Sequence, residues 1–319
     1  MKKGIKILWV IIGCVFALGV ILATVGFVLG ATGIAYFDGR EFRFGAGEQR
    51  TVELKDNDTE AFESIDIKLI EADVEIIAAN AYGYEFVYTG SNKPDITIKN
   101  NTLFVVEQSN NWSIIFGFGG WKSLFETTAK LRVFVPEDAE LTTVGLSTVS
   151  GTTTLSGYQI NIKKLDCKSV SGDVNITNVD LEQLALDVAS GDVDLRNVSA
   201  NRATINILSG WLNYEDAKLK KLDLNMTSGD VRLKGQISEL LQLRMISGNA
   251  DIALTGNKDD YSFGFTQLSG SILIDGQDVG NNTGWPFTSS SGANTGRGGH
   301  IEIEATSGTV MLNFTNRAA

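Results

Sequence analysis

The sequence predicts an all-β protein, a right-handed β-solenoid or stacked β-roll of ~19-residue repeats, preceded by one N-terminal transmembrane helix. Three observations predict it. The dipeptide Ser-Gly recurs at Ser150, Ser171, Ser190, Ser209, Ser228, Ser247, Ser269 and Ser307, at intervals of 21, 19, 19, 19, 19, 22 and 38 residues. Apolar residues keep phase with that ladder at the strand period of two. A run of 31 residues, from Ile7 to Phe37, contains no Asp, Glu, Lys, Arg or His.

The apolar run is long enough to cross a bilayer, which takes roughly 20 residues, and too long for a secretory h-region of about 7–15. Lys2, Lys3 and Lys6 precede it and Arg40 is the next basic residue. The positive-inside bias therefore orients the N-terminus to the cytoplasm and everything beyond about residue 38 to the outside. Small residues at Gly33-Ile34-Ala35 leave a cleaved signal peptide as the alternative, which the length disfavours. Cys14, in mid-span, reads as an apolar packing residue, and the Gly26/Gly30 pair as a chance feature of a Gly-rich span. The chain thus divides into a basic start and anchor (1–37), an N-terminal β cap (38–135) and a regular repeat domain (136–319).

Within the repeats, Leu146, Cys167, Leu186, Ile205, Leu224, Leu243, Phe265 and Ile303 stand four residues before the Ser. Val144, Leu165, Leu184, Ala203, Leu222, Leu241, Phe263 and Ile301 stand six before. The pattern resumes after the dipeptide with Val174, Val193, Leu212, Val231, Ala250, Ile272 and Val310. Two further on come Ile176, Leu195, Tyr214, Leu233, Ile252, Ile274 and Leu312. Each repeat reads as strand, Ser-Gly turn, strand and a polar turn such as Thr177-Asn178 or Arg196-Asn197. Gly supplies a positive φ, while Ser and the Asp that follows it bond nearby amides to hold the corner. A 19-residue unit cannot bury its own apolar face, so neighbours must stack about 4.8 Å apart around a common core.

Ile65–Ile76 aligns with the repeats, with Glu71-Ala72 in place of Ser-Gly. The irregular strands Glu85–Tyr88, Asp95–Lys99, Thr102–Glu107 and Lys130–Val135 suit an end cap covering an open edge. Two segments differ in composition. Asn110–Phe125 is aromatic and Gly-rich, and carries Trp112, Ile114, Ile115, Phe116, Phe118, Trp121 and Phe125. It either folds over the solenoid end as a lid or lies exposed to lipid or a partner. Gly276–Gly299 is Gly/Asn/Ser/Thr-rich with Trp285-Pro286. It occupies the place of a missing repeat, since 38 is twice 19.

Composition excludes several functions. One His and two Cys leave no zinc-type cluster. A formal net charge of −11 argues against a nucleic-acid partner. From Asp38 onward, 24 Lys+Arg face 38 Asp+Glu, a net of −14 that favours solubility and cationic partners. The column Asp173, Asp192, Asp230 is the sharpest metal candidate, because stacked carboxylates suit calcium. Trp211 breaks it, Asn249, Ser271 and Thr309 replace Asp later, and turn-capping explains it without a ligand. His300 reads as a turn residue at a loop exit with no nucleophile motif. Cys167 sits in a column of Leu, Ile and Phe and is expected buried and inert. Trp211 and Tyr214 form a candidate recognition spot on the lateral face. The Asn-x-Ser/Thr triplets, such as Asn175-Ile176-Thr177, are compositional.

Leu131-Arg132-Val133-Phe134-Val135-Pro136 leading into Leu141-Thr142-Thr143-Val144, with an N-terminal span and serial Ser-Gly-Asp-Val repeats, resembles the bacterial putative-adhesin β-strand-repeat family. The resemblance covers roughly residues 60 to 318 and is similar in particular to membrane-anchored Gram-positive members encoded with envelope stress-response systems. That family is a domain of unknown function with no catalytic residues or cofactor. The resemblance implies a non-catalytic, single-pass cell-surface protein, an adhesin or scaffold for cell-wall or other envelope components. The alternative is an accessory regulator acting on a membrane signalling protein. A polysaccharide-active enzyme is the least favoured class, since no catalytic carboxylate pair stands out.

Overall fold

The computed structural model describes residues 34–37, 42–44, 51–57, 59–89, 94–107, 116–117, 129–157, 160–279, 287–291 and 299–315. The predicted span lies outside these residues except for its last four, Ile34–Phe37, which form a strand. No helix among the described residues is long and apolar enough to cross a membrane. The chain divides into two compact units. The smaller holds a three-stranded antiparallel sheet in which Ile34–Phe37 pairs with Phe42–Phe44 and with Phe116–Gly117.

The larger unit is all β. Corresponding segments of successive repeats pair in parallel, so Leu184 lies beside Leu165 and Ala203, and Val193 beside Val174. Strand structure extends through Val193–Ser247, with the ladder skipping Asn178 and Asn197 at the polar corner. Alternation places Leu184, Leu186, Val188, Val193, Leu195, Val198 and Ala200 of one coil inside, none more than 8% exposed. Cys167 takes its expected place among them at 1%. A coil has two conspicuous corners. At the Ser-Gly corner, Gly191, Gly210, Gly229 and Gly248 hold φ between 127° and 146°. A Cβ on Gly229 would stand 1.8 Å from the Gly210 carbonyl oxygen. The second corner is the polar turn, where Asn178, Asn197 and Asp216 adopt φ of 57°, 50° and 56°. Asn and Asp tolerate this left-handed conformation better than other side chains. The Asn197 amide donates to Asn178 Oδ1 at 3.0 Å, tying one corner to the next.

Both ends of the stack depart from chain order. Ser64–Glu71 and Asp73–Ala79 form a coil beneath the Ser150 coil, with Glu71 beside Ser150. The chain then passes outward, so that Thr102–Glu107 and Lys130–Pro136 flank that coil on its far side before the chain re-enters at Glu140–Ser150. Pro94–Lys99 and Gly83–Thr89 add antiparallel strands at this end, and Thr51–Asp56 pairs with the latter. Lys130 and Arg132 knit it by charge. Lys130 Nζ lies 2.6 Å from Glu75, and Arg132 reaches Glu75 at 3.2 Å and Glu85 at 3.0 Å.

The opposite end corrects the expectation of a missing repeat. Asn249–Thr255 pairs with Thr309–Thr315, which in turn pairs with Ser271–Ile274. The Ser307 coil is thus inserted between the Ser247 and Ser269 coils, and the interval of 38 residues marks a return path, not an empty slot. Antiparallel strands Gln277–Asp278 and Phe287–Ser291 lie against Ser271–Ile274 and Tyr261–Gln267. Open parallel edges invite further strand pairing, and added antiparallel strands cover such edges.

Candidate functional site

Alternation along the strand before each Ser-Gly corner turns the first and third residues before the Ser outward. The first outward column, in stacking order, is Ile70, Val149, Val170, Ala189, Leu208, Thr227, Ile246, Thr306 and Leu268. Its large members are solvent-facing, from 38% exposed at Leu268 to 56% at Leu208. Isolated surface apolar residues are ordinary, but a file of them at every coil or every second coil is not.

Beside it runs a polar column, Lys68, Ser147, Lys168, Asp187, Asn206, Asn225, Arg244, Glu304 and Thr266. Its central members bond coil to coil. Asn206 Nδ2 donates to Asp187 Oδ1 at 2.7 Å, and Asn225 Nδ2 to Asn206 Oδ1 at 2.9 Å. Arg244 donates to Asn225 Oδ1 and Asp223 Oδ1, both at 3.2 Å, and stands 3.5 Å from Glu304. Between the two columns lies a furrow. One stretch of about 460 Å³ runs from Ser147 to Asn225, and a second of about 470 Å³ continues through Ile246 to Leu268. Asn225 and Thr227 line both stretches, so the furrow is continuous along the repeat array.

The Asp column has a structural role. Asp173 Oδ1 accepts the Asp192 amide at 2.9 Å, Asp192 Oδ1 the Trp211 amide at 3.0 Å, and Asp230 Oδ1 the Asn249 amide at 2.9 Å. Each carboxylate bonds the backbone of the following coil, where the sequence suggests a local turn cap. Asn249 continues the pattern by accepting the Thr309 amide at 3.3 Å. Among the described residues no three His, Cys, Asp or Glu side chains gather closely enough to hold a metal ion.

Trp211 is 45% exposed, on the far side of the Gly210 corner from Leu208. Tyr214, expected beside it as a recognition residue, is fully buried, and its hydroxyl donates to the Val198 carbonyl at 3.1 Å. The physical reason is phase: Tyr214 shares the inward column of Leu195 and Leu233, and burial pushes its phenol well above the ordinary range. His300 lies in the strand Gly299–Ala305, where a turn was expected, exposed and 2.9 Å from Ser262 Oγ. Burial pushes the Cys167 thiol up to about 12, with Asp166 adding to the shift. Trp112, Phe118, Trp121 and Trp285 lie outside the described residues. Phe116 is placed only as backbone of a strand.

Neither the inward columns nor the Asp positions point to the furrow. Its signal is nevertheless present: an apolar residue recurs immediately before Ser-Gly, where the strand phase predicts solvent.

No curated protein matches the chain significantly. Among solved structures, a putative adhesin from Bacteroides fragilis NCTC 9343 is 14% identical, with 83% of this chain and 97% of that chain covered and a TM-score of 0.47. A putative adhesin from Parabacteroides distasonis ATCC 8503 is also 14% identical, covering 83% and 98% with a TM-score of 0.47. A protein from the same organism, named a putative lipid binding protein, is 15% identical, covering 84% and 98% with a TM-score of 0.44. The family model described as Toastrack DUF4097 matches residues 62–313, nearly the whole stack from its first buried Phe62 to its last strand, and the chain belongs to that family.

Proposed function

We propose that this protein is a non-catalytic, single-pass membrane-anchored scaffold of the cell surface that binds an adhesion or envelope partner through the lateral furrow. The observation that carries the reading is the file of exposed aliphatic side chains from Ile70 to Leu268 beside a hydrogen-bonded polar column. Such a face combines apolar area with fixed polar spacing, the ingredients of a recognition surface. Asp187, Arg244 and Glu304 along it are bonded to neighbours in the ladder, an arrangement suited to holding shape. The apolar, charge-free N-terminal run supports anchoring, and the acidic remainder supports a soluble external domain.

The test is retention of the full-length protein's partner on isolated envelopes. Leu208→Asp together with Ile246→Asp should reduce envelope binding about tenfold or more, while Arg232→Ala on another face leaves it unchanged. Equal binding by both variants overturns the reading. So does a deletion strain in which an envelope-stress reporter changes while surface binding does not, an outcome that favours the regulatory alternative.

A further inference from the structure

We infer that the partner of the furrow is a second copy of this chain, docked antiparallel about a two-fold axis that crosses the face between Asn206 and Asn225. This deepens the reading of the furrow as the binding face. The inference comes from the order of side chains along the polar column once the Ser307 coil takes its inserted place. Turning the column end for end about that axis sets Lys168 opposite Glu304 and Asp187 opposite Arg244. Asn206 then faces Asn225, and Ser147 faces Thr266. The four charges from Lys168 to Glu304 each meet an opposite charge, and Lys68 lies beyond the end of the contact.

The apolar column obeys the same operation. Ala189 faces Ile246 and Thr227 faces Leu208, a smaller side chain opposite a larger one, while Thr306 faces the isosteric Val170 and Val149 faces Leu268. An isologous interface demands this: one patch complementary to itself when reversed. The next column outward, with Asp166 opposite Glu302, repels itself, and it sets the rim of the contact, where charges remain hydrated. Eight coils at about 4.8 Å give a contact roughly 38 Å long, and the two columns with their rim span about 13 Å of strand, so the contact of about 500 Å² per partner is that of a weak, reversible dimer. In strict chain order Thr266 would precede Glu304, and Lys168 would then face Thr266. The palindrome exists only because the last repeat threads back.

The test uses the full-length chain in detergent with Cys14→Ser, Cys167 being buried. Ala189→Cys and Ile246→Cys chains, separately tagged and mixed, should form a disulfide-linked heterodimer under mild oxidation, and neither alone should link. Within one chain these positions lie three coils apart, ~14 Å, beyond the ~7 Å Cα limit for a disulfide. Pairing through the membrane segments would not produce this register. Lys168→Glu should raise the dimer dissociation constant about tenfold, since the two-fold repeats the contact, and adding Glu304→Lys should restore it. The two residues are five coils apart within a chain, so restoration reports the contact between copies. Linkage of Ile246→Cys to itself as readily as to Ala189→Cys overturns the register. A chain that stays monomeric, or whose furrow is filled by a co-purifying glycan, lipid or other protein, overturns the inference. Loss of envelope binding by the Leu208/Ile246 variant would still stand in that case, so this inference and the function above fail separately.

Discussion

Gly308 is the direct neighbour of Gly248 in the corner column: a Cβ on Gly308 would stand 1.7 Å from the Gly248 carbonyl oxygen. Gly270, earlier in the chain, lies beyond Gly308, its own Cβ position 1.8 Å from the Gly308 carbonyl oxygen. The last repeat in sequence is therefore the penultimate coil in space. Removing it takes away a layer from inside the stack.

Truncation after residue 299 should accordingly do more than shorten the stack. Val310 and Leu312, both fully buried, separate Ala250 and Ile252 from Ile272 and Ile274. Limited proteolysis should cut the truncated protein between residues 249 and 279 while the coils from Ser150 to Ser228 remain resistant. Equal resistance of 249–279 before and after truncation contradicts the inserted coil.

Gly229→Ala should cost about 3 kcal/mol or more, because strain at a positive φ adds to a backbone collision at 1.8 Å. Gly276→Ala shares a positive φ of 78° but meets no atom within 4 Å, and should cost only about 1–2 kcal/mol. Urea unfolding of the two variants measures the difference. Similar losses would show that the close approach of coil backbones is not what requires glycine.

Asp192→Ala leaves the Trp211 amide without its 3.0 Å acceptor and should cost about 1 kcal/mol. Asp192→Asn should retain most of that, as Asn249 already serves the same role. The expected effect of added calcium on the melting temperature is nil. A rise with calcium, lost in both variants, would return the column to the metal reading.

Acid should loosen the N-terminal end first. Burial raises the Glu75 carboxyl, but hydrogen bonds and charges from Lys130 and Arg132 outweigh it and leave the group below its ordinary value. Its contribution to stability is therefore complete above the unfolded carboxylate pKa and is lost as pH falls through the lower folded one. Hydrogen exchange from pH 7 to pH 3 should show residues 73–89 and 130–136 opening more steeply in wild type than in Glu75→Gln. Parallel profiles would remove Glu75 from the account.

Cys167, with its thiol raised to about 12 by burial, should resist iodoacetamide at pH 8 in the folded protein and react fully in urea. In a Cys14→Ser background its alkylation rate becomes a direct reading of how often the core opens. Rapid labelling without denaturant would show that this coil is not closed.

The inward columns and the Ser-Gly and Asn corners were legible in the sequence because each depends on residues within one 19-residue period. The exposed file Val149, Val170, Leu208 and Ile246 was equally legible in phase, as an apolar residue on the solvent side of a strand. Its meaning depended on neighbours. Tyr214 is buried because its position falls in the inward column, which outweighs the surface role its aromatic side chain suggests.

By itself the sequence determined that the chain is all β, where its corners fall, which side chains enter the core and that a charge-free apolar run precedes the repeats. These follow from strand alternation and from the backbone conformations that Gly and Asn permit, which are local properties. Only the tertiary structure decided the order of the coils, and with it that Glu304 lies between Arg244 and Thr266. Parallel stacking at one spacing makes every coil a sterically acceptable neighbour for every other. The 38-residue interval marks where the order changes, but only the pairing of Thr309–Thr315 with both Asn249–Thr255 and Ser271–Ile274 shows which layer the last repeat fills.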